Sequence, residues 1–280
     1  MGKNSKKRKQ RMESVRDSYR WRTIKNKKAV LGVYLSLRFL VILTMIAQFL
    51  NGHYESVAIC LLTLVLFILP SAIERRLHID LPDVLEIIIL FFIFAAEILG
   101  EINEYYLIIP FWDTMLHTIN GFLFAAIGFA IVNILNRDKN ISMTLSPFYM
   151  AVTAFCFSMT IGVLWEIFEW SMDSFFALDM QKDVILSNFS SVTLDPGGHN
   201  IPYVVTGVTD TVIRFADGTQ KSLNLGGYLD IGLHDTMMDM FVNLVGAVIF
   251  SSIGYFYVKK DGQGWFAKHF IPRVMDENEE

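Results

Sequence analysis

The chain has 280 residues, of which 53% are hydrophobic and only 19% are charged, and its mean hydropathy is +0.41. A soluble domain of this length rarely has such a composition, and the apolar residues form uninterrupted runs rather than a scattered pattern. The formal net charge of −4 hides an asymmetry, because residues 1–28 carry half of the 24 Lys and Arg residues. The composition therefore excludes an ordinary soluble domain and indicates a polytopic membrane protein.

Residues 1–28 form a basic tail ahead of the first apolar run. Such a tail binds nucleic acid or anionic lipid, or it is a solvated cytoplasmic segment that fixes membrane topology. We favour a solvated cytoplasmic tail that fixes the topology. Its expected partners at the membrane surface are anionic lipid headgroups, and we expect no nucleic acid. The apolar run that follows is too long for a cleavable signal, and no small-residue cleavage site follows it.

Six apolar runs come next, and roughly 20 helical residues are needed to span a bilayer core. In chain order the runs are residues 29–50, 56–73, 81–100, 111–135, 146–176 and 235–258. The sequence thus predicts an all-α bundle of six transmembrane helices. This transmembrane domain covers residues 29–258, and a C-terminal tail covers residues 259–280.

The loop charges orient the predicted bundle. Basic residues follow the second, fourth and sixth runs, namely Arg75 and Arg76, Arg137 and Lys139, and Lys259 and Lys260. The loops at residues 51–55 and 101–106 contain no Lys or Arg. By the positive-inside rule, both termini are predicted to be cytoplasmic.

A long polar insertion, residues 178–234, separates the fifth and sixth runs on the predicted outer side. Within it the stretch TVIRFADGTQKSLNL alternates apolar and polar residues around Asp217 and Gly218. This pattern is typical of a β-hairpin. We predict a small β-element that caps the outer end of the helices.

Ionisable and amide side chains recur on one face of each of the last three runs. The three sets are Asp113, His117 and Asn120; Glu166, Glu169 and Asp173; and Asp235, Asp239 and Asn243. Within each set, neighbouring members are three or four positions apart in the sequence, so each set follows one helical stripe. With the predicted topology, all three stripes lie in the outer part of the membrane.

Acids inside a bilayer are costly, at on the order of 3 kcal/mol each on insertion scales. Runs three to six contain no Lys or Arg, and Arg38 in the first run is the only intramembrane base. The carboxyl groups must therefore be protonated, hydrated in a cavity or bound to a cation. The competing interpretation is that they only hold helices together, at roughly 0.6 kcal/mol per hydrogen bond. That interpretation is the better one for any single residue, whereas convergence of the whole set favours a cation.

We predict a divalent metal site in this region. Its expected ligands are Asp113, His117, Glu166, Asp235 and Asp239, with Asn243 as a further ligand. Oxygen ligands mixed with one histidine suit zinc, manganese or iron better than magnesium or calcium. Glu169 or His117 is the candidate general base.

Three stretches, FWDTMLHTINGF, WEIFEW and HDTMMDMFVNLVGA, together resemble the YjdF-like family of bacterial inner-membrane proteins and, more distantly, the VanZ-like family. The resemblance covers the third to sixth runs. It matches the family pattern at Asp113 and His117, at Glu166 and Glu169, and at Asp235 and Asp239. It implies a multi-pass protein of the bacterial plasma membrane with this site, and it leaves the reaction open.

Two functional classes compete beside a purely structural role, and the lipid bilayer is a partner in each. The first is a metal-dependent hydrolase or transferase that acts on an amphiphilic substrate of the cell envelope. The alternative is a proton- or cation-coupled transporter, and a second alternative is a structural membrane protein whose acids only join helices. A single outward-facing site favours the enzyme, because transport requires a polar path to the inner side. No Walker loop, dinucleotide fingerprint, HExxH or GxSxG pattern is present.

Overall fold

The computed structural model describes residues 28–77, 79–137, 145–260, 269–271 and 273–274, and most of these residues are helical. The helices are α1 (Lys28–Leu50), α2 (Tyr54–Leu66), α3 (Leu69–Leu77), α4 (Asp83–Phe94), α5 (Tyr105–Ile108), α6 (Trp112–Arg137), α7 (Pro147–Phe176) and α8 (Leu233–Lys259). The basic tail before Lys28, the loop residue Lys139 and most of the C-terminal tail lie outside the described residues.

Five helical segments in the described chain are long and apolar enough to cross a membrane. They are Lys28–Leu50, Tyr54–Arg76, Trp112–Asn136, Pro147–Phe176 and Leu233–Lys259. Many of their large apolar side chains are exposed, with Phe39 at 61% and Leu50 at 77%. Apolar surface of this extent suits lipid rather than water. The prediction of a mostly helical multi-pass membrane protein is confirmed at this level.

The third predicted span, residues 81–100, differs from the other five. Its α-helical part, α4, has only 12 residues, and the helix then widens into a π-helix at Ala95–Ile102. Glu97 and Glu101 both lie in that π-helix. A π-helical turn is rare and is often found at functional sites. The described chain therefore has five candidate spans, and the third of the six predicted spans is not confirmed.

The described chain folds as two compact units. The described residues up to Ser158 and from Asn243 onward form the first unit, which contains α1 to α6, the first part of α7 and most of α8. The second unit, Met159–Val242, contains the rest of α7, the polar insertion and the start of α8.

Helices α6 and α8 approach each other closely in the first unit. A Cβ atom at Gly121 would lie 2.0 Å from the Asn243 carbonyl oxygen, and one at Gly246 would lie 2.0 Å from the Thr118 carbonyl oxygen. No residue with a side chain fits at these distances, so the two glycines allow this backbone contact.

Buried aromatic rings extend the same packing. The rings of Phe129 and Phe250 are fully buried, and their centroids lie 6.2 Å apart in an edge-to-face arrangement. Phe122 packs on Phe250 in the same way, at 5.0 Å. The Ser158 hydroxyl donates a 2.7 Å hydrogen bond to the Gly121 carbonyl oxygen, so α7 joins this core.

Replacing Gly246 with alanine is expected to lower the free energy of unfolding by about 1–3 kcal/mol, the usual cost of overpacking. The added methyl group would meet the Thr118 carbonyl. Gly32→Ala in α1 is the matched control, because no neighbour lies within 4 Å of a Cβ atom there. The control should leave stability unchanged or slightly raise it, since alanine favours the helix. Unfolding of the purified protein in detergent measures both, and equal losses would contradict the close packing.

The insertion carries short antiparallel strands, all within the second unit. They are β2 (Val184–Leu186), β3 (Asn188–Ser191), β4 (Tyr203–Thr206), β5 (Val212–Arg214), β6 (Gln220–Ser222) and β7 (Tyr228–Asp230). The strands pair as β2 with β7, β3 with β4, and β5 with β6. In the first unit, β1 (Ile79–Asp80) pairs with β8 (Arg273–Val274).

The hairpin predicted around Asp217 and Gly218 is confirmed as the β5–β6 pair. Gly218 has a φ of +85°, a left-handed conformation that favours glycine. The Asp217 carboxylate accepts hydrogen bonds from the backbone N–H of Thr219, at 2.8 Å, and from its hydroxyl, at 2.6 Å. The turn residues therefore determine this local structure.

Candidate metal site and adjoining cavity

An aspartate and a histidine lie in the first two turns of α6. Asp113 and His117 are four residues apart, so both occupy one face of the helix. The His117 Nε2 atom lies 3.5 Å from Asp113 Oδ1, and His117 is only 8% exposed. This separation is within ion-pair range and longer than a normal N–H···O hydrogen bond. A buried imidazole beside a carboxylate can hold a proton or bind a metal cation.

Three carboxyl groups are almost completely buried in the second unit. Glu166 and Glu169 are 5% and 8% exposed and lie one turn apart on α7, while Asp239 of α8 is 4% exposed. Burial of a carboxylate costs several kcal/mol unless a proton, hydrogen bonds or a cation compensate it. These three side chains supply the oxygen ligands that divalent ions use.

Two other acids of the predicted stripes hold the start of the insertion. The Asp173 carboxylate accepts hydrogen bonds from the backbone N–H groups of Met180, at 2.6 Å, and Gln181, at 2.9 Å. The Asp235 carboxylate accepts one from the Lys182 N–H at 2.7 Å. These contacts tie residues 180–182 to the end of α7 and the start of α8. Asp235, a predicted metal ligand, therefore also has a structural role.

Asn243, another predicted ligand, lies in the first unit and is 1% exposed. Its Oδ1 atom accepts a hydrogen bond from the Asn120 Nδ2 of α6 at 3.4 Å. This contact joins α6 and α8, as expected of an amide that holds two membrane helices together. The interpretation of these residues as helix contacts therefore describes this pair well.

A cavity of about 790 Å³ opens within the second unit. It lies between the end of α7, residues 178–183 of the insertion and residues 231–240, which include the start of α8. Its acidic lining residues are Glu166, Asp173, Asp179 and Asp183. Its main apolar lining residues are Val163, Ile167, Trp170, Leu178, Leu233 and Met240. No Lys, Arg or His is found among the described residues that line it.

The mouth of this cavity is electrostatically negative. Partial burial raises the pKa of the Asp183 carboxyl, and the carboxylates of Asp179 and Asp230 raise it further. Lys182 acts in the opposite direction. Each of these two carboxylates changes this pKa more than the single nearby lysine does.

Three residues that line the cavity, Asp179, Gln181 and Asp183, lie outside the predicted site. They belong to the predicted polar insertion, although the acids of the stretch LDMQKD follow α7 directly. The Gln181 side chain is 9% exposed, and its amide donates a hydrogen bond to the Thr236 hydroxyl. The loop is thus bound to α8 through a side chain as well as through its backbone.

Comparisons with known proteins address the whole chain. No curated protein and no solved structure matches it. The profile of one family, DUF2238, described as "Predicted membrane protein", matches residues 33–260, from within α1 to the end of α8. This match confirms the YjdF-like resemblance and extends it beyond the third to sixth runs, whereas the VanZ-like resemblance gains no support. The chain belongs to the DUF2238 family of predicted membrane proteins.

Proposed function

We propose that this protein crosses the bacterial plasma membrane six times, with both termini in the cytoplasm. The span that is added to the five candidates, third in chain order, would be residues 83–102. In that segment α4 and the π-helix together form a continuous helical run of roughly the 20 residues required. The orientation is supported by Arg75 and Arg76 at the end of α3 and by the absence of Lys and Arg from residues 51–55. The insertion would then face the outer side.

Within this bundle, a divalent metal ion would be held near the outer face. The proposed ligands are Asp113, His117, Glu166, Asp235 and Asp239, with Asn243 as a further ligand. The main support is the burial of His117, Glu166 and Asp239 to 8%, 5% and 4% exposure. The proposed spans that carry them contain no Lys or Arg to neutralise the acids. In the first unit Asp113 and His117 offer mixed oxygen and nitrogen ligands, and in the second unit Glu166, Glu169 and Asp239 offer oxygen ligands.

The proposed activity is that of a hydrolase or transferase acting on an amphiphilic envelope substrate. A bound ion would supply Lewis-acid chemistry toward a phosphoryl or carbonyl group. Glu166 lines the open cavity, so a ligand there would reach a side chain of the proposed site. Glu169 or His117 would accept a proton as general base. Transport receives less support, because the hydroxyl of Ser158, a polar residue of the predicted fifth span, already donates a hydrogen bond to the Gly121 carbonyl oxygen.

Elemental analysis of the detergent-purified protein tests the metal site. We expect about one transition-metal ion per chain in the wild type, and its loss in Glu166→Ala and Asp239→Ala, because each substitution removes a buried carboxylate ligand. Glu55→Ala is the matched control, since Glu55 is exposed at the start of α2. It should retain the metal.

The possible results separate the competing functions. Unchanged metal content in both variants would contradict the ligand assignment. A wild-type protein that stays metal-free after incubation with zinc, manganese or iron would contradict the metal site itself. That result would favour protonated carboxyl groups and a proton-coupled transporter.

A further inference from the structure

The cavity of the second unit is amphipathic along its length. Val163, Ile167 and Trp170 follow one face of α7, and Asp173 continues that line toward the insertion. At 1.5 Å per residue, this line is about 15 Å long. Three of the four lining acids, Asp173, Asp179 and Asp183, therefore lie at the end beside the insertion, together with the apolar Leu178, Ile231 and Leu233. The far end, at Val163 and Ile167, carries one acid, Glu166.

The α8 wall carries Leu233 and Thr236 near the start of the helix, and Met240 lies one turn further from the insertion. At the mouth, Asp179 and Asp183 are exposed and belong to the chain segment that follows α7. The side chain of Lys182 donates a 2.6 Å hydrogen bond to the Asp179 carbonyl oxygen. One lysine thus stands beside two lining carboxylates, so the mouth keeps an excess of negative charge.

We propose that this cavity binds an amphiphile with a primary-ammonium head group. The ammonium would lie between Asp179 and Asp183, and the hydrocarbon chain would follow Val163, Ile167 and Met240. An anionic head group would be repelled by these carboxylates, and a neutral one would leave their charge uncompensated. A metal ion alone would make no use of the apolar wall.

This inference names the substrate class of the proposed enzyme, and it rests on the proposed function only for the reaction that follows binding. The binding itself needs no metal. The two carboxylates at the mouth are outside the proposed ligand set, so they can be changed without altering the metal site.

Equilibrium binding of dodecylamine and dodecanol to the full-length protein tests the proposal. The two probes share one hydrocarbon chain and differ in the charge of the head group. The protein is held in a non-ionic detergent after treatment with a chelator, so that metal plays no part. We expect the amine to bind roughly 5- to 10-fold more tightly than the alcohol, as two partly exposed ion pairs allow.

The variant Asp179→Asn/Asp183→Asn should lower amine binding to the level of the alcohol and leave alcohol binding unchanged. The matched control is Glu55→Gln/Glu104→Gln, which removes two exposed carboxylates outside the cavity. It should preserve the preference for the amine.

Equal binding of the two probes by the wild type would overturn the proposal. So would an equal loss of preference in the control, because that would show a general attraction of cations to an acidic surface. Metal content, measured on the same wild-type and variant preparations before chelation and after incubation with zinc, manganese or iron, reports separately on the proposed function. A wild-type protein that takes up no metal in that measurement but prefers the amine would refute the metal site and retain the ammonium site.

Discussion

Replacing His117 with alanine is expected to lower the affinity of the purified protein for zinc by more than about 100-fold. Mutation of a residue that only hydrogen-bonds to a metal ligand already lowers metal affinity roughly 10- to 100-fold. His117 is proposed as a ligand itself, and as the only nitrogen ligand. Its imidazole is 8% exposed, and its Nε2 atom lies 3.5 Å from the Asp113 carboxylate. Competition with a chromophoric zinc chelator measures the affinity.

Two further variants distinguish a ligand from a merely structural histidine. His53→Ala is the matched control, because His53 is exposed in the loop after α1. Its Nδ1 atom lies 2.8 Å from Oε1 of Gln48, which belongs to α1. It should bind zinc like the wild type. His117→Asp should keep a metal site but shift its preference from zinc toward manganese and magnesium, since carboxylates suit those ions better. Unchanged zinc affinity in His117→Ala would contradict the assignment.

The boundaries of four helices, α1, α6, α7 and α8, were predictable because each coincides with an uninterrupted apolar run. The fourth run was predicted at residues 111–135, and α6 extends from Trp112 to Arg137. The β5–β6 hairpin was predictable because its turn depends on neighbouring residues, above all Asp217 and Gly218. In both cases the determining interactions are local in the sequence.

The π-helix was not predictable in the same way. The stretch from Ala95 to Ile102 has the apolar character of a membrane helix, and its composition does not reveal whether hydrogen bonds join residues four or five apart. The acids Glu97 and Glu101 were the one available signal that this span differs from the others. Hydrogen-bond register depends on packing against other helices, which a single sequence does not record.

In the candidate site, too, contacts that are local in the sequence were predictable and long-range contacts were not. The proximity of Asp113 and His117 follows from a spacing of four residues on one helix, and the structure places them 3.5 Å apart. The structural roles of Asp173 and Asp235 depend on backbone N–H groups, which carry no residue-specific signal. In the case of Asp235, the partner is 53 residues away in the sequence. Such contacts become visible only when the insertion folds back on its helices.

Replacing Asp173 with alanine is expected to release the start of the insertion from α7. The substitution removes the acceptor of two hydrogen bonds, from the N–H groups of Met180 and Gln181 at 2.6 and 2.9 Å. Hydrogen bonds to a charged acceptor contribute about 1.5–3 kcal/mol each, so local opening should become easier by about 3 kcal/mol. Amide hydrogen exchange at residues 180 and 181 should then accelerate roughly 100-fold.

Two further variants determine whether the Asp173 carboxylate itself slows amide hydrogen exchange at residues 180 and 181. Asp173→Asn keeps one side-chain oxygen and should accelerate exchange by about 10-fold, because one of the two acceptors remains. Ser171→Ala is the matched control on the same helix, since its hydroxyl bonds only to the Ile167 carbonyl of its own helix. Exchange in that control should equal that of the wild type. A wild-type exchange rate in Asp173→Ala would contradict this prediction. The Lys182–Asp235 and Gln181–Thr236 contacts would then be enough to hold residues 180–182. Asp173 would have no role in holding the insertion and would only line the cavity.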